Sequence, residues 1–258
     1  MVKTLSELSG VEKYYLISMF QQKGMEFKED FYMSRTFDYG NSFYITTVED
    51  SFGTVGVVTA EVKTRNEMFV LEINNTEFEV VEEVINLAED KYGCKNISVG
   101  IEKRFLLPDH YEYKFKSLRL KYIGSKVTQP LDIIALDKNN ANEFARIHNK
   151  SFLMVPNGGT MTLEETYELI DEGNAYIIYD DSAVGVIIIK ENIIDSIAIL
   201  PQFQGRGYGK KALLKCIELI KEDVQLIVID SNKRAMDLYL NNGFIVEKEL
   251  KSWYKKSR

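Results

Sequence analysis

Apolar positions in the second half of the chain alternate between the two-residue period of a strand and the 3.6-residue period of a helix. The pattern predicts a strand at Asp132–Leu136 and a helix at Asn139–Phe152 with Phe144, Ile147 and His148 on one face. A glycine-containing loop (SFLMVPNGGT) leads to a short acidic helix at Leu163–Glu172, where Thr162 and Glu165 have the spacing of a capping box. Three β-branched runs follow, Ala175–Tyr179, Ala183–Ile189 and Ile193–Leu200, with polar turns between them as in an antiparallel meander. A helix at Gly209–Glu222 would bury Leu213, Ile217 and Ile220, and the unbroken apolar run Leu226–Ile229 predicts a central strand. Ser231 or Asn232 can cap a last helix, Lys233–Asn241, which stops at Asn242-Gly243 before a strand running from Phe244 towards Trp253.

The first half has a similar order. Helices are expected at Leu5–Gln22 and Phe78–Lys91, with strands near Phe43–Thr47, Gly56–Val62, Phe69–Ile73, Asn96–Ile101 and Ser117–Ile123. The polar stretch Gly124–Pro130 (GSKVTQP) is the strongest boundary signal. An α/β chain of two tandem domains, 1–125 and 126–258, is therefore expected, the two related by duplication.

Composition narrows the function classes. The chain has 258 residues, 45% hydrophobic and 28% charged, which fits folded domains and excludes disordered or low-complexity classes. Its net charge of −7 argues against affinity built on neutralising many phosphates, so no nucleic-acid partner is expected, although a local cationic patch could hold one anionic ligand. The two cysteines, Cys94 and Cys216, imply no disulfide framework. The first twenty residues lack the apolar run of a secretory signal, and no stretch reaches the roughly 20 apolar residues of a membrane span. A cytoplasmic protein without membrane contact is expected.

Chemistry concentrates at Gln204-Gly205-Arg206-Gly207-Tyr208-Gly209, between a β-run and a helix. Glycines there let backbone N–H groups approach a ligand closely, and the helix start behind them adds partial positive charge, which together make a phosphate cradle. Arg206, Lys210 and Lys211 place cations beside it. A dinucleotide fingerprint starting at Gly205 would need glycine where Lys210 stands, and a Walker A loop would need Ser or Thr where Lys211 stands. There is no G-x-S-x-G, H-E-x-x-H or C-x-x-C motif, and two His with two Cys give no metal-ligand spacing.

The loop resembles the Q/R-x-x-G-x-G/A pyrophosphate loop of the GCN5-related N-acetyltransferases (GNAT), with the strand and proline that usually precede it (SIAILPQF). A second segment, Asn232-x-x-Ala235-x-x-Leu238-Tyr239-x-x-x-Gly243-Phe244, is similar to another motif of the same family. The resemblance covers about residues 131–253. The first half shows the element order without any glycine-rich loop, and its candidate helix start, Asn74–Val80, carries Glu77 and Glu79. It looks like a degenerate copy, so two GNAT-like domains are expected, each a mixed, mostly antiparallel sheet flanked by helices, with one CoA per chain.

By resemblance, the chain moves an acetyl group from acetyl-CoA, its co-substrate, to an amine of a small molecule or peptide by direct attack in a ternary complex. Backbone groups of Ile197 and Ile199 would pair with the pantetheine arm, and the amides from Gln204 through Gly205, Arg206, Gly207 and Tyr208 to Gly209, with Lys210 nearby, would hold the pyrophosphate. Asn232 would cap its helix and contact the cofactor. Tyr239 stands where the family commonly places a tyrosine near the sulfur, so it is either the acid that protonates the thiolate or a packed aromatic. Asp195, taken to share a face with Ile197 and Ile199, is either the base or a solvated strand-start carboxylate; His148 is read as structural. The acidic run Glu164, Glu165, Glu168, Asp171 and Glu172 is a solvated face or flanks the acceptor cleft. The competing function is a catalytically weak acyl-CoA sensor or partner-binding protein.

Overall fold

In a computed structural model, the described residues are 2–4, 9–11, 14, 18, 42–50, 53–63, 67–74, 78, 82, 85–86, 96–101, 107–125, 128–153, 155, 161–221 and 223–257. The chain forms two compact units, one of residues 1–116 with 251–258, the other of residues 117–250. The divisions fall inside two strands, Tyr111–Tyr122 and Phe244–Lys256, and the polar stretch 124–130 lies within the second unit.

The first unit contains β1 (Val2–Thr4), β2 (Ser42–Asp50), β3 (Gly53–Lys63), β4 (Glu67–Asn74) and β5 (Asn96–Ile101). These pair in order, antiparallel except for parallel β4–β5. Residues 252–255 then pair antiparallel with β5. Gly100 lies opposite Trp253, whose ring would stand 3.0 Å from a Cβ added at that glycine. Ile97, Val99 and Ile101 of β5 are buried, as are Phe78 and Ile85 from the region expected to be helical. The expected helix at Leu5–Gln22 lies almost wholly outside the described residues.

In the second unit the sheet is built from β6 (Tyr111–Tyr122, whose residues from Ser117 belong here), β7 (Asp132–Ala135), β8 (Ala175–Asp180), β9 (Ser182–Lys190), β10 (Ile193–Ile199) and β11 (Gln225–Ile229). Pairing runs β7–β8–β9–β10–β11–β6, antiparallel except for parallel β10–β11. The two units thus share one plan, four strands in antiparallel succession, a parallel fifth and an antiparallel sixth. Tandem α/β domains with mixed, mostly antiparallel sheets are what the sequence predicts.

Among the described residues four helices flank this sheet: α1 (Ala141–Phe152), α2 (Leu163–Glu172), α3 (Tyr208–Leu219) and α4 (Lys233–Leu240). The Thr162–Glu165 capping box forms as expected, and Gly173 closes α2 in the left-handed conformation. Ile147 and the fully buried Phe144 of α1 pack with Leu169 of α2 against Ile177, Val186, Ile188, Ala198 and Leu200. On the other face Leu213, Cys216 and Ile217 of α3 pack against Val184, Ile187, Ile194, Leu226, Val228, Leu120 and Phe244, the first residue of β12 (Phe244–Lys256). With helices on both sides, β9 is buried without interruption from Ala183 to Ile189. Each such aliphatic side chain contributes about 1.5–3 kcal/mol. Expected to be central, β11 is paired on both sides, by β10 and β6, but stands second from the end of this order and only one of its faces is covered: Leu226 and Val228 are buried, whereas Ile227 between them is 51% exposed.

Gly185 of β9 lies flat against β10. A Cβ there would come within 2.3 Å of the Ala198 carbonyl oxygen and 2.9 Å of Ile199 Cδ1, so β9 and β10 can meet only with glycine at this register. Gly185→Ala is expected to cost about 2–4 kcal/mol in urea unfolding, because backbone must shift to admit the methyl group.

Cys216 is a free, buried thiol, and burial pushes its pKa above the usual value. The folded state therefore favours the neutral thiol, and this contribution, intact at neutral pH, is lost as pH rises past the unfolded value of about 8.5. Thermal unfolding followed from pH 8 to 11 should show a fall in Tm that is shallower in Cys216→Ala, the difference approaching ~1.4 kcal/mol per pH unit.

Candidate active site

β10 and β11 are paired only at Ile193–Gln225 and Ile194–Leu226. The β9–β10 register shifts between Ile194 and Ser196, and beyond this bulge β10 continues without a partner on its β11 side. Leu200 N–H donates to the Val184 carbonyl at 2.9 Å, so by alternation Ala198 also turns its backbone groups to β9, while those of Ile197 and Ile199 face the gap. This is the unpaired edge expected at these two residues, with one difference. The Ile199 carbonyl is occupied by Gln204 Nε2 at 2.9 Å, and Gln204 Oε1 in turn accepts from Arg234 Nη1 of α4 at 2.7 Å. The pattern of apolar and glycine positions carried no signal for this Arg234–Gln204–Ile199 brace.

A single turn at Pro201–Phe203 leads from the unpaired edge into the loop. Gly205 (φ +81°) and Gly207 (φ +87°) are left-handed, with no heavy atom within 4 Å of where a Cβ would project. Gly207 caps α3 without a side-chain hydrogen bond, so the leading amides of the helix have no side-chain partner. The loop meets the geometric needs of an anion cradle: open space above two glycines and donors at a helix start. A Cβ at Gly209 would meet only Leu238 of α4, at an ordinary 3.6 Å, so this glycine serves the close packing of α3 on α4. Arg206 lies 5.6 Å over the Phe203 ring and Lys211 lies 5.8 Å over Tyr208, while Lys210 is exposed. The Tyr208 hydroxyl donates to Asp180 at the end of β8, and that bond raises its pKa.

Asn232 accepts from Ala235 N–H at 3.2 Å and caps α4 as expected. Tyr239, one turn beyond Ala235, packs with its ring 5.9 Å from Phe244 in the cluster that also takes in Ile197, Ile199 and Tyr208. Burial first, and Cys216 second, push its phenol up to about 12. It is therefore a neutral donor across the physiological range.

Asp195 is placed differently from expectation. Simple alternation would put it on the face of Ile197 and Ile199, but the bulge interrupts alternation at this residue. Ile197 and Ile199 pack on the α3 side, whereas the Asp195 charge acts on His148 of α1, on the opposite side. The Asp195 carboxylate, 37% exposed, lies 3.5 Å from Lys190 Nζ and accepts from Ser196 Oγ at 3.3 Å. His148 is buried, stacked on Phe152 at 4.6 Å with Nδ1 3.3 Å from Asn149 Oδ1. Burial lowers its pKa, opposed by Asn149 and by the charges of Asp195 and Glu165. Next to it, Asn149 clasps Met161 through Nδ2 to the carbonyl (2.8 Å) and Met161 N–H to Oδ1 (2.7 Å), which fixes the entry to α2. His110 belongs to the first unit and bonds Glu82 at 2.7 Å, far from this chemistry in sequence and in unit. Among the described residues no three His, Cys, Asp or Glu gather as a metal site. No helix among them is long and apolar enough to cross a membrane.

The family model "Acetyltransferase (GNAT) family" matches residues 141–244, the span from the start of α1 to the start of β12. No curated protein matches the chain. Among solved structures, a GCN5-related N-acetyltransferase from Sphaerobacter thermophilus aligns over 99% of this chain and 95% of its own, with TM-score 0.62 at 13% identity. A GNAT-family acetyltransferase from Colwellia psychrerythraea aligns over 100% of both chains, with TM-score 0.56 at 11% identity. A tandem GNAT protein from the clavulanic acid biosynthesis pathway covers 86% of both, with TM-score 0.53 at 9% identity. At these identities the likeness is one of fold, and it extends through both units. The parted strands and the glycine loop thus lie on one stretch of chain, residues 141–244, and that stretch matches the GNAT acetyltransferase family.

Proposed function

We propose that the second unit transfers an acetyl group from acetyl-CoA to an amine, in one step within a ternary complex. The observation that carries this is the continuity of the unpaired β10 edge with the open glycine loop: a strand-like arm can pair along Ile197 and Ile199 while its phosphates reach Gly205, Gly207 and the start of α3. Acetyl-CoA would supply an activated acyl group on a thiol leaving group. Full use of the Ile199 carbonyl requires Gln204 to turn its amide away, and Arg234 gives Gln204 a place to remain.

The two faces of β10 divide the chemistry. Asp195 lies on the α1 side and Tyr239 on the α3 side, with the gap between β10 and β11 joining them. An amine arriving as the free base from the α1 side attacks the acetyl carbon, its nitrogen gives one proton to Asp195 or to water as the amide forms, and the carbon–sulfur bond breaks towards Tyr239, the thiolate taking its proton from solvent. A phenol near 12 is a weaker acid than a thiol of about 8.5, so Tyr239 stabilises the departing thiolate by donating a hydrogen bond more than by surrendering its proton.

Gly207→Ala tests the cradle. Left-handed strain costs about 1–2 kcal/mol of stability, and the new methyl group, which meets nothing in the free protein, stands in the space assigned to phosphate. Calorimetry should show CoA affinity reduced about tenfold or more in a folded variant. Unchanged affinity would remove the loop from the site.

Tyr239→Phe should leave CoA affinity unchanged and lower turnover by about 10²-fold or more, read as thiol release with an amine panel. Because the phenol is held near 12, the wild-type rate should show no alkaline limb from this residue below pH 11. Acceptor-independent rates in both proteins, with tight CoA binding retained, would favour an acyl-CoA sensor.

A further inference from the structure

The uncovered face of β11 contains a row of three residues that the cofactor loop does not use. Ile227 lies directly opposite Arg119 in the antiparallel β11–β6 ladder, so their side chains share a face. The parallel register pairs Ile194 with Leu226 and ends there, so Asp195 and Ile227 are the first residues of the two strands at the mouth of the gap. Leu226, Val228 and Leu120 are buried on the α3 side, which puts Ile227 and Arg119 on the other face, the side from which Asp195 acts on His148. Across three strands this face therefore reads carboxylate, apolar floor, guanidinium. The ends lie at least two strand spacings apart, about 10 Å or more, because β10 and β11 part at this point.

Arg119 is the unusual member. Its Nε is buried without a hydrogen-bond partner, and among the described residues its guanidinium has no carboxylate. The neighbouring cation on the same strand and face, Lys121, is already paired with Asp223 at 2.9 Å. A buried guanidinium nitrogen left without an acceptor costs about 1–3 kcal/mol, which a bound carboxylate would recover through a charge-assisted bond.

We propose that this row selects the acceptor: an amine that also carries a carboxylate, its nitrogen directed to Asp195 and the β10–β11 gap, its apolar middle on Ile227 and its carboxylate on Arg119. This deepens the acetyltransferase reading and rests on it. Arg119 is a specificity residue, touching the acceptor away from the reacting atoms.

6-Aminohexanoate, 6-aminohexanamide and hexylamine share a primary amine and an apolar chain and differ in the carboxylate at its far end. With acetyl-CoA, thiol release should favour 6-aminohexanoate by about tenfold or more in kcat/KM over the other two. In Arg119→Gln the preference should close to within about twofold, through KM for 6-aminohexanoate, with CoA affinity unchanged. The same probes titrated calorimetrically into CoA-saturated protein give a readout that needs no turnover, and only 6-aminohexanoate should bind measurably. Equal behaviour of the three compounds, or a carboxylate preference that survives Arg119→Gln, would overturn the assignment. Loss of CoA binding in the wild-type protein would instead overturn the acetyltransferase reading beneath it.

Discussion

β10 and β11 run side by side for only two residues and then part, and the candidate site follows from that separation. A parallel pair inside a sheet ordinarily keeps its ladder, because each unmade backbone hydrogen bond is costly where water is excluded. Here the bulge at Asp195 ends the ladder, and β10 is held on its other side by β9, where Gly185 allows close approach to Ala198 and Ile199. β11 is kept in place by β6 and by α3 beneath it. The gap is thus maintained by good packing on both outer sides and needs no strain at its centre.

The electrostatics are local. In a chain of net charge −7, the loop gathers Arg206, Lys210 and Lys211 around left-handed glycines, and two of these cations rest over aromatic rings. Resting a guanidinium or ammonium on a ring satisfies it without consuming the donors an anion would use. On the far side of β10 the sign reverses, with Asp195 and Glu165 acting on the buried His148. The strand separates a region suited to phosphates from one suited to an amine.

Periodicity made the second unit legible almost element by element, because its apolar residues fall cleanly into core-facing positions, and the Thr162–Glu165 box and Gly243 mark helix ends with specific chemistry. The glycine loop was legible for the same reason, since left-handed positions restrict residue choice strongly. The face of Asp195 was not, because a bulge shifts alternation by one residue and leaves no mark in composition. Nor was the exposure of Ile227: an apolar run looks the same in sequence whether a second helix layer covers it or not. The brace from Arg234 through Gln204 joins residues far apart in sequence by polar side chains, to which hydrophobic patterning is blind.

The sixth strand of each sheet is supplied across the chain. Residues 117–121 complete the second unit beside β11, and residues 252–255 complete the first beside β5. A ribosome delivers the chain in one direction, so the first unit cannot close its sheet until the whole second unit has been made, although most of its own residues emerge first. The second unit, by contrast, receives its borrowed strand in advance. The second unit still waits for the start of the last strand, β12, whose Phe244 enters its core, so one strand at the end of the chain governs when both units are complete.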